Sequence, residues 1–157
     1  MGKRIEIGDA VPDFSLKTDT GETLTRADLL GSGPVVLYFY PKDDTPGCTV
    51  QACTFRDAFE DFVDVGATVI GVSSDGVGSH EAFRDKHRLP FTLLSDRGGT
   101  LRDAFGVPKT LGLMPGRVTY VIDAAGVVRH IYNSQLSAKT HVKEALEHVR
   151  RLASGTE

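Results

Sequence analysis

The chain is poor in cysteine, in basic charge and in long apolar runs, and each shortage removes a class of protein. Two cysteines in 157 residues exclude a disulfide-stapled scaffold. A chain of this length buries roughly two-thirds of its unfolded surface and folds without staples. Eighteen Lys and Arg stand against 21 Asp and Glu, a net charge of −3, so the basic excess typical of nucleic-acid binders is missing. The longest strongly apolar run, residues 35–40, falls far short of the ~20 residues that span a bilayer. Residues 1–10 lack the apolar core of a secretory signal. No G-x-S-x-G, Cys-x-x-Cys, His-x-x-x-His or complete Gly-rich phosphate motif occurs, leaving hydrolase-elbow, zinc and dinucleotide chemistry without a signature. The expectation is one domain over residues 1–157, cytoplasmic, with no metal or organic cofactor and no nucleic-acid or membrane partner. In a reducing compartment a cysteine pair is more often catalytic or metal-binding than structural.

What is present reads as an α/β chain. Residues 14–25 pattern as a hairpin turning at Asp19 to Glu22, and Thr25 with Asp28 resembles a capping box opening a short helix through Leu30. The continuous apolar runs at residues 35–40 and 67–72 suit buried strands. Phe55, Ala58, Phe59 and Phe62 recur at helical spacing and predict one helix over residues 46–64. Ser79 is placed as the cap of a helix running to about His87. A strand at 91–95, a helical segment at 100–105, a hairpin of strands 118–123 and 127–132, and a last helix at 138–152 complete the order β-α-β-α-β-β-α. That order suits a thioredoxin-like fold: a central mixed sheet flanked by helices, with an N-terminal β-hairpin. The first cysteine then follows a central strand, where α/β sheets place their chemistry.

The informative stretch is residues 40–53, YPKDDTPGCTVQAC. Thr45 is a good N-cap and Pro46 a good first helical residue, which puts Cys48 in the first turn. There the free N–H groups and the positive end of the dipole favour an anion, hence a thiolate nucleophile. A free cysteine is most often a small buried hydrophobe; the strand–loop–helix context and the second cysteine argue here for reactivity. Cys53 lies five residues on, about 7.5 Å of rise and roughly 140° of rotation away in an ideal helix. The Cα atoms would then be about 8–9 Å apart, beyond the ~7 Å reach of a disulfide. The two thiols therefore cannot bond while the helix is intact.

Pro41-x-x-x-Thr45-x-x-Cys48 resembles the active-site motif of the peroxiredoxins, and Cys53 stands where the bacterioferritin comigratory protein / peroxiredoxin Q branch often carries a resolving cysteine. The likeness extends along nearly the whole chain, through Gly8-Asp9-x-x-Pro12-Asp13-Phe14, Leu93-Leu94-Ser95-Asp96 and Arg117-Val118-Thr119-Tyr120. It implies a thiol peroxidase acting on hydrogen peroxide and organic hydroperoxides. Cys48 would be oxidised to a sulfenic acid, Cys53 would resolve it as an intramolecular disulfide, and thioredoxin or a similar dithiol would reduce that. The resemblance further implies that the Thr45 hydroxyl contacts thiolate and peroxide, that Pro41 shields the pocket from water, and that Arg117 arrives beside the sulfur from a distant strand. A resolving cysteine within the chain removes the need for a second subunit, so a monomer is expected. Gln51 stands where many relatives have Glu, outside the implied catalytic set.

Two alternatives stay open at this level. One is a peroxidase that uses Cys48 alone with another reductant. The other is a redox sensor or binding module whose Cys48–Cys53 disulfide signals to a partner. Elsewhere, His80/His87 and His141/His148, each seven apart, are placed on exposed helix faces, and residues 42–44 as a solvated loop. The apolar 108–116 loop is expected either to line the site or partner surface or to pack on the core.

Overall fold

The computed structural model describes residues 4–110, 114–134 and 137–155. Its elements are β1 (Ser15–Thr18), β2 (Thr23–Thr25), α1 (Arg26–Leu29), β3 (Val35–Phe39), α2 (Pro46–Asp57), α3 (Phe59–Asp64), β4 (Thr68–Ser73), α4 (Val77–His87), β5 (Thr92–Ser95), α5 (Thr100–Phe105), β6 (Lys109–Thr110), β7 (Met114–Pro115), β8 (Val118–Ile122), β9 (Val128–Asn133) and α6 (Ala138–Ser154). Seven strands form one mixed sheet in the order β2-β1-β5-β4-β3-β8-β9. β3 runs parallel to β4 and β4 to β5, whereas β8 lies antiparallel to both β3 and β9. This is the thioredoxin-like arrangement, with the N-terminal hairpin β1–β2 added antiparallel at the edge of β5.

The apolar run of β3 is buried at every position because helices cover both sheet faces. Val36 and Tyr38 point to one side, with Phe55, Phe62, Phe83, Val142, Ala145 and Val149. Val35, Leu37 and Phe39 point to the other, with Leu29, Leu101 and Phe105. Tyr38 pairs across the sheet with Gly71. A Cβ there would sit 2.9 Å from the Tyr38 hydroxyl, so Gly71 makes room for the phenol. Among the described residues no helix is long and apolar enough to cross a membrane.

Several sequence expectations need correction. The helix expected over residues 46–64 is two helices, broken at Ala58 (φ −97°, ψ 5°). The Thr54 hydroxyl donates back to the Val50 carbonyl at 2.6 Å, a bond that bends helices. Phe55 and Phe62 still meet in the core, ring centroids 5.7 Å apart. Helix α4 is capped by Gly76, not Ser79; the Ser79 hydroxyl is spent on Asp43, at 2.8 Å. Within the 108–116 loop, β6 and β7 pair antiparallel as a separate two-stranded ribbon, and Leu111 and Leu113 lie outside the described residues.

Candidate active site

The site begins where β3 ends. The chain leaves the sheet through Tyr40 and buried Pro41, crosses a loop to Thr45, and enters α2 at Pro46. Cys48 is the third residue of that helix and is 1% exposed. Thr45 holds the N-cap position with extended backbone, and its carbonyl accepts the first helical bond, from the Thr49 N–H at 2.8 Å. Its hydroxyl does not cap the helix; it donates to the Lys42 carbonyl at 3.0 Å, which keeps its oxygen lone pairs available. The helix begins at Pro46, as the sequence places it.

Arg117 reaches Cys48 from 69 residues away, at the entrance to β8, and is 4% exposed. Its Nη2 donates to Cys48 Sγ at 3.3 Å, and its Nη1 donates to Gln51 Oε1. Gly47 permits this approach, since a Cβ there would stand 3.0 Å from Nη2. A buried guanidinium beside a sulfur at a helix N-terminus stabilises a thiolate and any charge that builds on an oxygen leaving it. Gln51, fully buried one turn below Cys48, steers the guanidinium without adding a negative charge. The sequence leaves it outside the catalytic set, and its i+3 spacing from Cys48, which puts both on one helix face, is the signal that finds it.

Cys53 lies on the same helix, half-buried, and both cysteines are free. The structure therefore joins Arg117 to Cys48, sets Thr45 at the cap just before that cysteine, buries Pro41 just past the end of β3, and holds Cys53 on intact helix. Beneath them the Tyr38 ring stacks on Phe55 at 4.6 Å. Among the described residues its buried hydroxyl has no hydrogen-bond partner; burial first, then the neighbouring Cys48 and Asp43, push its pKa well up, so it stays a neutral phenol. Beside the helix start, Pro46, Gly47, Val50, Ser137, Ala138, Lys139 and Thr140 line an open depression of about 460 Å³.

Two histidines and one aspartate placed on the surface by sequence are buried. His80 and His141 are 0% exposed and Asp43 is 7%. His141 sits between the Thr119 hydroxyl, 2.8 Å from Nδ1, and the Ser134 carbonyl, 2.6 Å from Nε2. Burial, opposed by the Ser134 bond and aided by the Arg117 charge, lowers its pKa to about 4, so it is a neutral imidazole. His80 bonds to Asp43 and to the Leu94 carbonyl. Helical spacing alone does not separate these histidines from surface ones, because their partners come from distant strands and loops.

Two groups of metal-ligand type occur among the described residues, His130/Glu144/His148 and Asp43/Asp75/His80. The His130 and His148 rings stack face to face at 3.5 Å and 11°, so their in-plane lone pairs run side by side and do not converge. The second group is committed to hydrogen bonds within the protein. Neither presents a converging set of free donors of the kind a tetrahedral site needs.

Comparison with known proteins bears on this geometry directly. The family model described as the AhpC/TSA family matches residues 7–131. The chain is 50% identical to a chloroplastic peroxiredoxin Q of Triticum aestivum over 150 residues, covering 95% of this chain and 69% of that protein. Among solved structures it resembles the peroxidoxin BcpB of Mycobacterium tuberculosis, with TM-score 0.88, 39% identity and coverage of 95% and 99% of the two chains. It also resembles a bacterioferritin comigratory protein of Xanthomonas campestris described for alkyl peroxide reduction, with TM-score 0.83, 30% identity and coverage of 92% and 99%. A thiol seated under an arginine at a helix start, on a chain half identical to a peroxiredoxin Q, belongs to the peroxiredoxins of the AhpC/TSA family, and the protein is a peroxidase of the two-cysteine kind.

Proposed function

We propose that Cys48 is the peroxidatic cysteine and Cys53 the resolving one, with Thr45, Arg117 and Pro41 completing the catalytic set and residues 1–157 working as one domain. The observation that carries this reading is the buried Arg117 Nη2 bond to Cys48 Sγ at 3.3 Å. The Cys48 thiolate attacks one peroxide oxygen; the O–O bond breaks, Cys48 becomes a sulfenic acid, and the departing oxygen takes a proton to leave as water or an alcohol. Arg117 stabilises charge on that oxygen, and the Thr45 hydroxyl, held by Lys42, positions the peroxide. Pro41, buried at the end of β3, keeps water from the sulfenic acid. Cys53 then attacks the Cys48 sulfur, an S–S bond forms, and hydroxide leaves as water. Thioredoxin or another dithiol protein exchanges with the disulfide and returns both thiols. The depression lined by Val50 and Ala138 beside the helix start supports acceptance of organic hydroperoxides as well as hydrogen peroxide.

The cycle is intramolecular, so the working unit is a monomer. The compartment is one that keeps thiols reduced; the cytoplasm is one such setting and the chloroplast of the plant relatives another. The test is a coupled assay with thioredoxin and its reductase beside trapping with a dimedone-type probe. Cys48→Ser abolishes peroxide consumption, whereas Cys53→Ser still labels as a sulfenic acid. Labelling of Cys53 in Cys48→Ser would reverse the assignment.

A further inference from the structure

The loop between β3 and α2 ends in a buried polar network that the peroxidase chemistry does not use. Asp43 Oδ1 accepts from the Tyr40 hydroxyl at 2.6 Å. Asp43 Oδ2 accepts from the Ser79 hydroxyl at 2.8 Å and meets His80 Nδ1 at 2.7 Å. The other ring nitrogen of His80, Nε2, lies 2.9 Å from the Leu94 carbonyl. The Asp43 N–H donates to Asp75 Oδ2 at 2.8 Å, which also accepts from the Ser73 hydroxyl at 2.6 Å. One aspartate thus ties the loop to β3, β4, α4 and, through His80, to β5.

The hydrogen count and the upward shift of the His80 pKa together set the charge state. A carbonyl has no proton to give, so His80 Nε2 must be the donor. A carboxylate at Asp43 only accepts, so Nδ1 donates to it as well. His80 is therefore an imidazolium facing a carboxylate. The other groups facing it are Asp75, from the β4–α4 turn, and Tyr40, from the end of β3, kept neutral by burial first and then by its anionic neighbours; β5 contributes only the Leu94 carbonyl. On the far side of the loop, Arg102 of α5 donates to the Tyr40 carbonyl at 3.2 Å. Burial pulls the His80 pKa down, but the Asp43 bond and charge, the Leu94 bond and Asp75 outweigh it, and the net shift is upward. Buried ion pairs contribute little net stability and are better suited to fixing one geometry. The geometry here is unusual: Asp44, next along, is a non-glycine residue at φ 62°, a conformation that persists where its surroundings over-determine it.

We propose that His80 and Asp43 are positioning residues for the peroxidatic centre, a buried imidazolium–carboxylate pair that fixes the loop from which the Cys48 helix starts, both while the thiolate reacts and while that helix unwinds. This rests on the assignment of Cys48. The sign of its pH dependence follows from the raised pKa. The pair's contribution is complete below the unfolded histidine value, near 6.5, and is lost as pH rises through the folded value.

Two measurements on the full reduced chain test this. Imidazole nitrogen NMR reads the charge state without reference to catalysis, and two protonated nitrogens on His80 at neutral pH are expected. One bare nitrogen would overturn the proposal, whether or not any variant folds. Stopped-flow peroxide reduction by His80→Gln and Asp43→Asn is expected to be about 10–100-fold slower, the scale of a misplacement near 1 Å. The alkaline decline of the wild type should be absent from both. Folded variants that react at the wild-type rate with an unchanged pH profile would also overturn it. Persistent peroxidase activity in Cys48→Ser would instead defeat the assignment on which it rests, leaving the NMR result untouched.

Discussion

The two sides of Thr45 are held by different means. Upstream, residues 40–44 are pinned by side-chain bonds from Asp75, Ser79, His80 and Arg102. Downstream, residues 46–54 are held by the helix's own backbone bonds, by Arg117 and by the buried side chains of Cys48, Gln51 and Ala52, with Pro46, Gly47 and Val50 exposed. Past them, Phe55 is fully buried against Tyr38, Phe62 and Phe91. A segment held mainly by its own helical bonds and one arginine opens at lower cost than a segment knitted into four other elements, which opens only with the fold. Cys48 and Cys53 both lie in the first kind, between two borders of the second kind. In the cycle proposed above, this difference lets the two thiols meet without disturbing the sheet.

Removing the side chain that joins the helix to β8 has the largest expected effect. Arg117→Ala is expected to slow peroxide reduction by about 100-fold or more, the usual cost of losing an aimed donor in such a site. Arg117→Lys should recover only part of it, because an ammonium lacks the fork that reaches Cys48 and Gln51 together. An unchanged rate constant in stopped-flow measurements would remove Arg117 from the chemistry. Next in size, Phe55→Ala removes the downstream border. It should cost about 3–5 kcal/mol in chemical denaturation and extend the exchange-labile segment beyond residue 54. A loss under 1 kcal/mol would mean that the border lies elsewhere.

A smaller effect separates the two buried histidines. His80, paired with two acceptors, contributes stability that fades as pH rises. His141, with its pKa lowered to about 4, does the reverse: its contribution is complete above the unfolded value near 6.5 and is lost as pH falls towards 4. That loss is on the order of 3 kcal/mol by pH 4, and His141→Gln should show less acid sensitivity between pH 7 and pH 4 in denaturant titrations. Equal acid sensitivity in both proteins would contradict a neutral buried His141.

Much of this was legible in the sequence. Period and length placed β3, β4, β5, α5, the β8–β9 hairpin and α6 to within one or two residues, because those elements are built from their own apolar patterns. The cysteine segment was legible for the same local reason, since cap, proline and first-turn thiol lie within four residues. What escaped depended on distant partners. Asp43 reads as a loop acid until His80, 37 residues on, folds against it. His80 and His141 have the spacing of surface histidines until β5 and β8 supply a carbonyl and a hydroxyl. Gln51 reads as a helix-face amide until Arg117 arrives from 66 residues away. The break at Ala58 leaves the apolar spacing of Phe55 and Phe62 intact, so periodicity carried no trace of it.

The disulfide form is expected to open within residues 46–54 and not upstream of them, and amide hydrogen exchange on the reduced and disulfide forms measures that directly. Protection across residues 46–54 should fall sharply in the disulfide form, while residues 40–45, 73–80 and the strands β3, β4 and β5 keep theirs. Equal protection of 46–54 in both forms, or a loss that spreads upstream into 40–45, would contradict it.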